Sequence, residues 1–371
     1  MEFVIDRDIF LKSIGNANGI IEKKTTLPIL SNILIEAKDS KIKITATDLD
    51  IIYTEEILPN DLKKEGSTTT SGSVLYDILR KLKSNSKVEL SLQNSNKVKL
   101  ISENSKFNLL CLPSDNFPLP GEAIAQESFE VSTQKLLKLL NKTKISISND
   151  ETRHYLNGIY LHKTKLENKS FLCGVATDSH RLSSSSLEID PKINIEPIIL
   201  PKKTIFQLIL LLEQSSGTIK ISNNKSKIKF EMDIGVLISK VIDGRFPEYS
   251  KVIPKNNDKV LHIKLDEFRN SIDRVTTVSS DRTKGLKMNI SKDAVQLSVN
   301  NPNSGEGIEN INAKFNASDL NISFNSRYLS DIATQIENEF IVINLKDSNS
   351  PVLINDFSDK NSFYVVMPMK I

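Results

Sequence analysis

Apolar positions along this chain follow two alternating periods. Steps of three and four link Ile9, Phe10 and Ile14, then Leu136, Leu137 and Leu140, then Leu265, Phe268 and Ile272. That spacing puts one apolar stripe on a helix. Each such helix follows a short apolar run that reads as a strand: Phe3-Val4-Ile5, Phe129-Glu130-Val131 and Leu261-His262-Ile263. The three runs lie 126 residues (Phe3 to Phe129) and 132 residues (Val131 to Ile263) apart. A second helix is predicted at Val74–Leu82, Thr204–Leu212 and Tyr328–Ile336, at offsets of 130 and 124. Between helices the period falls to two, as in Ile33–Glu36, Lys41–Thr47, Ile51–Ile57, Val88–Leu92, Val98–Ser102 and Phe107–Leu112. With Asn, Asp and Ser clusters between them, these runs predict antiparallel strands and hairpins.

Other landmarks keep the same offset. Ala46-Thr47-Asp48 returns 130 residues later as Ala176-Thr177-Asp178, and Asn116-Phe117-Pro118 has a counterpart 129 residues on in Arg245-Phe246-Pro247. Ordered matches at nearly one offset predict a threefold repeat. Each copy is itself doubled, as helix–strands–helix–strands. One helix against about four strands is too little core to stand alone. Two halves side by side make one domain with two helices on one sheet face. The fold class expected is α+β, with three two-helix, two-sheet domains. Polar or proline-marked stretches near Gly121–Gln126 and Pro254–Asp258 set the domains at 1–126, 127–256 and 257–371.

Composition narrows the function. The longest apolar stretch, Thr204–Leu212, is broken at Gln207, so no membrane span is expected. The opening Met1-Glu2-Phe3-Val4-Ile5-Asp6 places acids where a secretion signal needs a basic start, and only Cys111 and Cys173 are present. A reducing cytoplasm fits both. Net charge is +3, from 49 basic and 46 acidic residues, too small by itself to imply nucleic acid. Placement says more. Predicted helices carry Lys12, Arg80, Lys81, Lys83, Lys135, Lys138, Lys142, Lys144, Lys202, Lys203, Arg269 and Arg274, though Asp331, Glu337 and Glu339 weaken the pattern in the last copy. Equivalent helices of three copies would share a side, giving a surface that meets phosphates without reading bases. No phosphate loop, dinucleotide fingerprint, paired-histidine metal motif or C-x-x-C occurs, and His154, His162, His180 and His262 lack metal spacing, so no cofactor or metal is expected. Asp178-Ser179-His180 invites a catalytic-triad reading. Three consecutive residues cannot easily converge on one reacting atom, so a turn between two strands is preferred.

The residues carry a resemblance. Thr26-Leu27-Pro28-Ile29-Leu30, Tyr155-Leu156-Asn157-Gly158, Ala176-Thr177-Asp178-Ser179-His180-Arg181-Leu182, Asp243-Gly244-Arg245-Phe246-Pro247-Glu248-Tyr249 and Tyr364-Val365-Val366-Met367-Pro368-Met369-Lys370-Ile371 resemble the bacterial sliding clamps, the beta subunits of DNA polymerase III, along the whole chain. The resemblance implies a head-to-tail homodimer closed into a six-domain ring, with helices lining the hole. It implies a non-catalytic processivity factor that encloses duplex DNA of any sequence and tethers the polymerase. A separate ATP-driven loader would open the ring.

The resemblance also assigns residues. A partner-peptide pocket between the second and third domains would be walled by Leu156, Thr177, Ser179, His180, Arg181, Leu182, Pro247, Lys251, Val252, Asn325, Tyr328, Val365, Val366, Met367, Pro368 and Met369. Its guests would be short peptides with hydrophobic ends from the polymerase III alpha subunit, the clamp loader, other polymerases, the mismatch-repair protein and ligase. DNA contacts would include Lys24, Arg153, His154 and Tyr155, beside Lys202 and Lys203 from the helix pattern. At the ring joint, Phe107 and Leu109 would lie on the first edge strand, and Thr277 and Val278 on the helix facing them. Departures from the family pattern are Ser179 for a glycine, Lys251 for an arginine, His154 for a tyrosine, Thr283 for an apolar or aromatic residue, and Met-Lys-Ile at the end. Two other readings stay open: a peptide-binding scaffold of this fold that does not encircle DNA, and an enzyme using Asp178 and His180.

Overall fold

The structure is a computed structural model that describes residues 1–22, 26–94, 96–119, 128–279 and 284–370. The first stretch runs β1 (Glu2–Asp6), α1 (Arg7–Asn18), β2 (Asn32–Lys38), β3 (Lys41–Thr47), β4 (Ile51–Ile57), β5 (Asp61–Lys64), β6 (Gly66–Ser71), α2 (Gly72–Lys81), β7 (Lys87–Asn94), β8 (Lys97–Ser102) and β9 (Ser105–Leu112). The second runs β10 (Phe129–Ser132), α3 (Thr133–Lys144), β11 (Gly158–Leu166), β12 (Lys169–Thr177), β13 (Arg181–Ile189), β14 (Ile198–Pro201), α4 (Lys202–Leu212), β15 (Thr218–Asn223), β16 (Lys227–Met232) and β17 (Gly235–Lys240). The third runs β18 (Lys259–Lys264), α5 (Leu265–Thr276), β19 (Gly285–Ile290), β20 (Ala294–Asn301), β21 (Gly305–Phe315), β22 (Leu320–Asn325), α6 (Ser326–Ala333), β23 (Phe340–Leu345), β24 (Val352–Asp356) and β25 (Asp359–Val366). Each copy is strand–helix–three strands, written twice. Among the described strands and α-helices only β5 is extra.

Strand pairing explains why the halves cannot separate. In every copy the leading strand of one half joins the meander of the other. β1 pairs β7 and β6 pairs β2; β10 pairs β15 and β14 pairs β11; β18 pairs β23 and β22 pairs β19. A half copy therefore lacks a strand of its own sheet until its twin supplies it, which is the physical content of a core too small to stand alone.

The chain gathers into two compact units, one of residues 1–137, 194–196 and 203–241, the other of 138–193, 197–202 and 242–371. Unit 1 holds a sheet ordered β10-β15-β16-β17-β4-β3-β2-β6-β9-β8-β7-β1-β5, and unit 2 one ordered β14-β11-β12-β13-β25-β24-β23-β18-β21-β20-β19-β22. Sheets of different copies fuse through their last meander strands: β17 on β4 in the first unit, β13 on β25 in the second.

Local chemistry sets the helix ends. Asp6 caps α1 by accepting from the Asp8 amide at 2.9 Å, and Asn325 caps α6 by accepting from Arg327 at 3.0 Å. The buried Arg7 donates to the carbonyls of Leu79 and Arg80 at the C-terminal end of α2. The observed α6 stops at Ala333, three residues short of the prediction. Ile336 stays buried all the same, so the turn after the helix keeps the apolar period going.

The basic helix faces need correction. Lys142 of α3 is 3% exposed, donates to the Gln335 carbonyl at 2.8 Å, and lies 3.1–3.6 Å from carboxylate oxygens of Glu337, Asp356 and Asp359. Lys138 pairs with Glu337 and Asp359, and Arg274 of α5 with Glu309. Lys142 is spent inside the fold, whereas Lys138 and Arg274 are exposed and ion-paired at the surface. Lys12, Lys81, Lys135 and Arg269 remain exposed on their helices.

Candidate functional site

The site grows from one hairpin turn. Between β12 and β13, Thr177 donates through Oγ1 to the Arg181 carbonyl and accepts from the Ser179 amide. Asp178 Oδ1 accepts from the amides of His180 and Arg181, both at 3.0 Å. The β3–β4 turn of the first copy repeats this set atom for atom. Thr47 bonds Ile51 and Leu49, and Asp48 takes the amides of Asp50 and Ile51. The middle residues also match, Leu49 at φ 77° and Ser179 at φ 78°. The recurring Ala-Thr-Asp is thus a turn signature. Asp178 spends its other oxygen on Arg181 Nε at 3.1 Å, so the carboxylate holds a turn and not the His180 ring.

Arg181 fixes the floor. Its side chain is 8% exposed, pairs with Asp178 and Asp331, and lies 4.4 Å from the Tyr328 ring centroid. Beside it opens a cavity of about 650 Å³ lined by Thr177, Ser179, His180, Arg181, Leu182, Pro247, Glu248, Tyr249, Val252, Val365 and Met367. Buried Leu182 and Val365 form its apolar base, while Met367 stands 41% exposed at its mouth. Beneath lies a small core of Leu156, Cys173, Val175, Leu182, Ile199, Phe246 and Val365. Tyr249 is tied to His162 Nε2 at 3.0 Å, and Tyr160 stacks on Phe246 at 5.0 Å between centroids. Burial pushes the Tyr249 hydroxyl well above its ordinary pKa and holds His162 below its own, so this pair stays uncharged near neutrality.

Nine of the residues assigned to the pocket line this cavity: Thr177, Ser179, His180, Arg181, Leu182, Pro247, Val252, Val365 and Met367. The others do different work. Val366 is fully buried in the larger core, because successive strand residues face opposite ways, so it is not pocket wall. Leu156 lies in the core below, Asn325 caps α6, and Tyr328 packs under Arg181. Lys251 lines the adjoining cavity. The tail is pinned by Met367 donating to the His180 carbonyl and Met369 to the Ser323 carbonyl, which leaves Pro368 bracketed between two fixed residues. Glu248 and Tyr249 also line the cavity and were not singled out for it. Their signal was the stretch Asp243–Tyr249 that contains them.

The residues expected at DNA divide. Lys24 lies outside the described residues, as does Thr283, which was named for the pocket and not for DNA. Arg153 reaches Asp150 and, through Nη1, Ser179 Oγ at 2.6 Å, which brings it to the pocket lip. His154 Nε2 meets the Asp243 carbonyl at 3.1 Å, and Tyr155 packs on the small core. Lys202 donates to Asn149. Lys203 is held by Asp48, Glu22 and the Ile20 carbonyl, so its charge is largely consumed in place.

The joint residues also need adjusting. Phe107 and Leu109 lie on β9, whose Ser105–Leu110 portion pairs with β8 on one side and has no strand on the other among the described residues. Leu109 is only 9% exposed and faces its own core, whereas Leu110 is 76% exposed. Thr277 is the C-cap of α5 and Val278 follows it, so neither lies within the helix as expected. Val278 packs against the core and accepts from Asn301.

Comparison with known proteins completes the description. The N-terminal, central and C-terminal domain families of the DNA polymerase III beta subunit match residues 1–120, 130–248 and 250–370. The beta sliding clamp of Caulobacter vibrioides is 34% identical over 373 residues, covering all of both chains. That of Escherichia coli K12 is 29% identical over 371 residues with the same coverage. Among solved structures, the DnaN sliding clamp of Bartonella birtlesii bound to griselimycin superposes with a TM-score of 0.96 at 38% identity over the whole of each chain.

Proposed function

The chain belongs to the DNA polymerase III beta-subunit family, the sliding clamps, and from that premise we propose how its own residues serve that role. The family is one of non-catalytic processivity factors whose partners are DNA and the polymerase. Its three-domain clamp fold is the fold of this chain. The domains run 1–126, 127–256 and 257–371. We place the protein in the cytoplasm; none of the described helices is long and apolar enough to cross a membrane.

The sheets support ring closure. Each half copy ends in a last meander strand, six in all. Four of these pair across copies, as β17 with β4 and β13 with β25. The two left over are β9, in the second half of the first copy, and β21, in the first half of the third. Beyond a short far-end contact with β6 and β18 respectively, each keeps one edge without a strand among the described residues. A second chain arranged head to tail would bring β9 of one subunit to β21 of the other and continue the same rule. Bare edges invite such pairing, and a closed ring removes both.

The cavity beside Arg181 is the docking site for partner peptides. Its apolar base, its exposed methionine and its polar lip suit one or two hydrophobic side chains held by a short backbone stretch. The guests are segments of the polymerase III alpha subunit, the clamp loader, other polymerases, the mismatch-repair protein and ligase. A clamp 38% identical to this chain has been solved bound to griselimycin, so ligand binding has a precedent in a relative. Removing Met367–Ile371 should weaken peptide binding about ten- to several hundredfold, since each lost apolar contact contributes roughly 1.5–3 kcal/mol. Fluorescence anisotropy with a labelled peptide, paired with sedimentation of the same protein, tests this. Unchanged affinity would remove the pocket assignment, and loss of the dimer would make the tail structural.

DNA is held by enclosure. The protein should stay on closed circular DNA and run off the same DNA once linearised, with affinity indifferent to sequence. Retention on linear DNA with free ends would contradict enclosure. Lys24→Glu with Lys202→Glu should lower retention and leave peptide affinity unchanged, as both offer only point charges to phosphates. Lys203 is the wrong residue to test, because its replacement would strand Asp48.

A further inference from the structure

A second cavity of about 730 Å³ adjoins the first and shares Val252 and Met367 with it. Its character is different. Lys251, Lys255 and Lys346 line it, with Ile253, Pro254, Asn256, Asn257, Ser350 and Pro351, and no carboxylate is among its lining residues. Hydrogen bonds tie its walls together. Asn257 donates to the carbonyls of Asn344 and Pro351, at 2.8 and 2.9 Å, tying the segment before β18 to the β23–β24 loop. Lys259 clamps the same loop through the Lys346 carbonyl.

The nearby acids are occupied. Asp347 takes the amides of Asn349 and Ser350 and the Ser350 hydroxyl, and these bonds, helped by Lys346, hold its pKa low. Glu248 is paired with Lys251 at 2.6 Å. Lys255 and Lys346 are exposed and have no carboxylate within ion-pair distance among the described residues. A cationic recess continuous with an apolar one fits a ligand that is apolar at one end and acidic beside it.

We infer that this recess binds a run of Asp or Glu flanking the hydrophobic anchor of a partner peptide, with Lys255 and Lys346 as its principal cations. The inference rests on the pocket reading above. Phosphates of DNA are the other anions that could occupy it, and the test separates the two.

Three synthetic peptides share one Leu-Phe pair and differ in flank: neutral, three acids before the pair, or three acids after it. Titration at about 50 mM salt should show one acidic peptide binding about five- to twentyfold tighter than the neutral one. The gap should close at about 0.5 M salt, where exposed charges are screened. The double variant Lys255→Gln, Lys346→Gln should lose the preference and keep its affinity for the neutral peptide. Equal binding of all three peptides by the unaltered protein overturns the inference alone. An undiminished preference in the double variant does the same, as does a double variant that loses DNA retention and not the preference. Failure of every peptide to bind overturns the pocket reading with it.

Discussion

Glu55 lies 8% exposed on β4, accepting from the Tyr53 hydroxyl at 2.9 Å and facing Asn16. Burial raises its pKa above the ordinary 4.5, and the hydrogen bonds from Tyr53 and Asn16 with the charge of Lys12 only partly oppose that. A raised carboxyl makes the folded state bind more protons than the unfolded one in the window above 4.5. Stability from this group is therefore present at the acid end of that window and lost as pH rises through the folded value. Urea unfolding at a series of pH values from 4.5 upward should show this slope, and Glu55→Gln should flatten it. An unaltered slope in the variant would mean the carboxyl titrates normally.

At the scale of elements, the ion cluster on α3 joins that helix to the β24–β25 hairpin and the end of α6. Lys142→Met would leave Asp356 and Asp359 buried with less countercharge. Breaking a buried pair from one side costs about 3–5 kcal/mol, and Lys138 beside Asp359 puts the expected loss near the lower figure. Denaturant unfolding measures it. DNA retention of the folded variant should be unchanged, because this lysine does not reach solvent. A drop in retention without a drop in stability would return Lys142 to the DNA surface, as the helical spacing of lysines first suggested.

For the whole molecule, the proposed dimer rests on the edges of β9 and β21 that lack a strand among the described residues. Phe107→Asp and Ile308→Asp each place a charge where the joint should be dry, at a cost of several kcal/mol. Both should sediment as folded monomers at micromolar concentration, with far-UV circular dichroism unchanged. Ile308 is 55% exposed in the single chain, so its replacement disturbs the subunit least. Leu109→Asp is a poor probe, since the charge would enter the subunit's own core. A dimer that survives both substitutions would move the joint elsewhere.

The elements and their repetition were legible along the chain. Apolar spacing marked the six described α-helices and the meander strands of the first copy, because burial on one face imposes a period of 3.6 or 2 regardless of what lies opposite. Recurring Ala-Thr-Asp marked a turn whose hydrogen bonds are closed within five residues, at Thr47–Ile51 and again at Thr177–Arg181. Most of the cavity wall was legible only through the family resemblance, which is carried on short contiguous stretches such as Ser179–Leu182. What tertiary structure decided was which side chains remain available. Lys142 and Lys203 read as free cations until carboxylates distant in sequence, Asp356 and Asp48, came within ion-pair reach. Leu109 and Val366 were assigned to surfaces, and strand alternation against their actual neighbours turned both inward. The exchange of leading strands between halves was equally invisible, since a strand's own pattern says that it must pair and nothing about its partner.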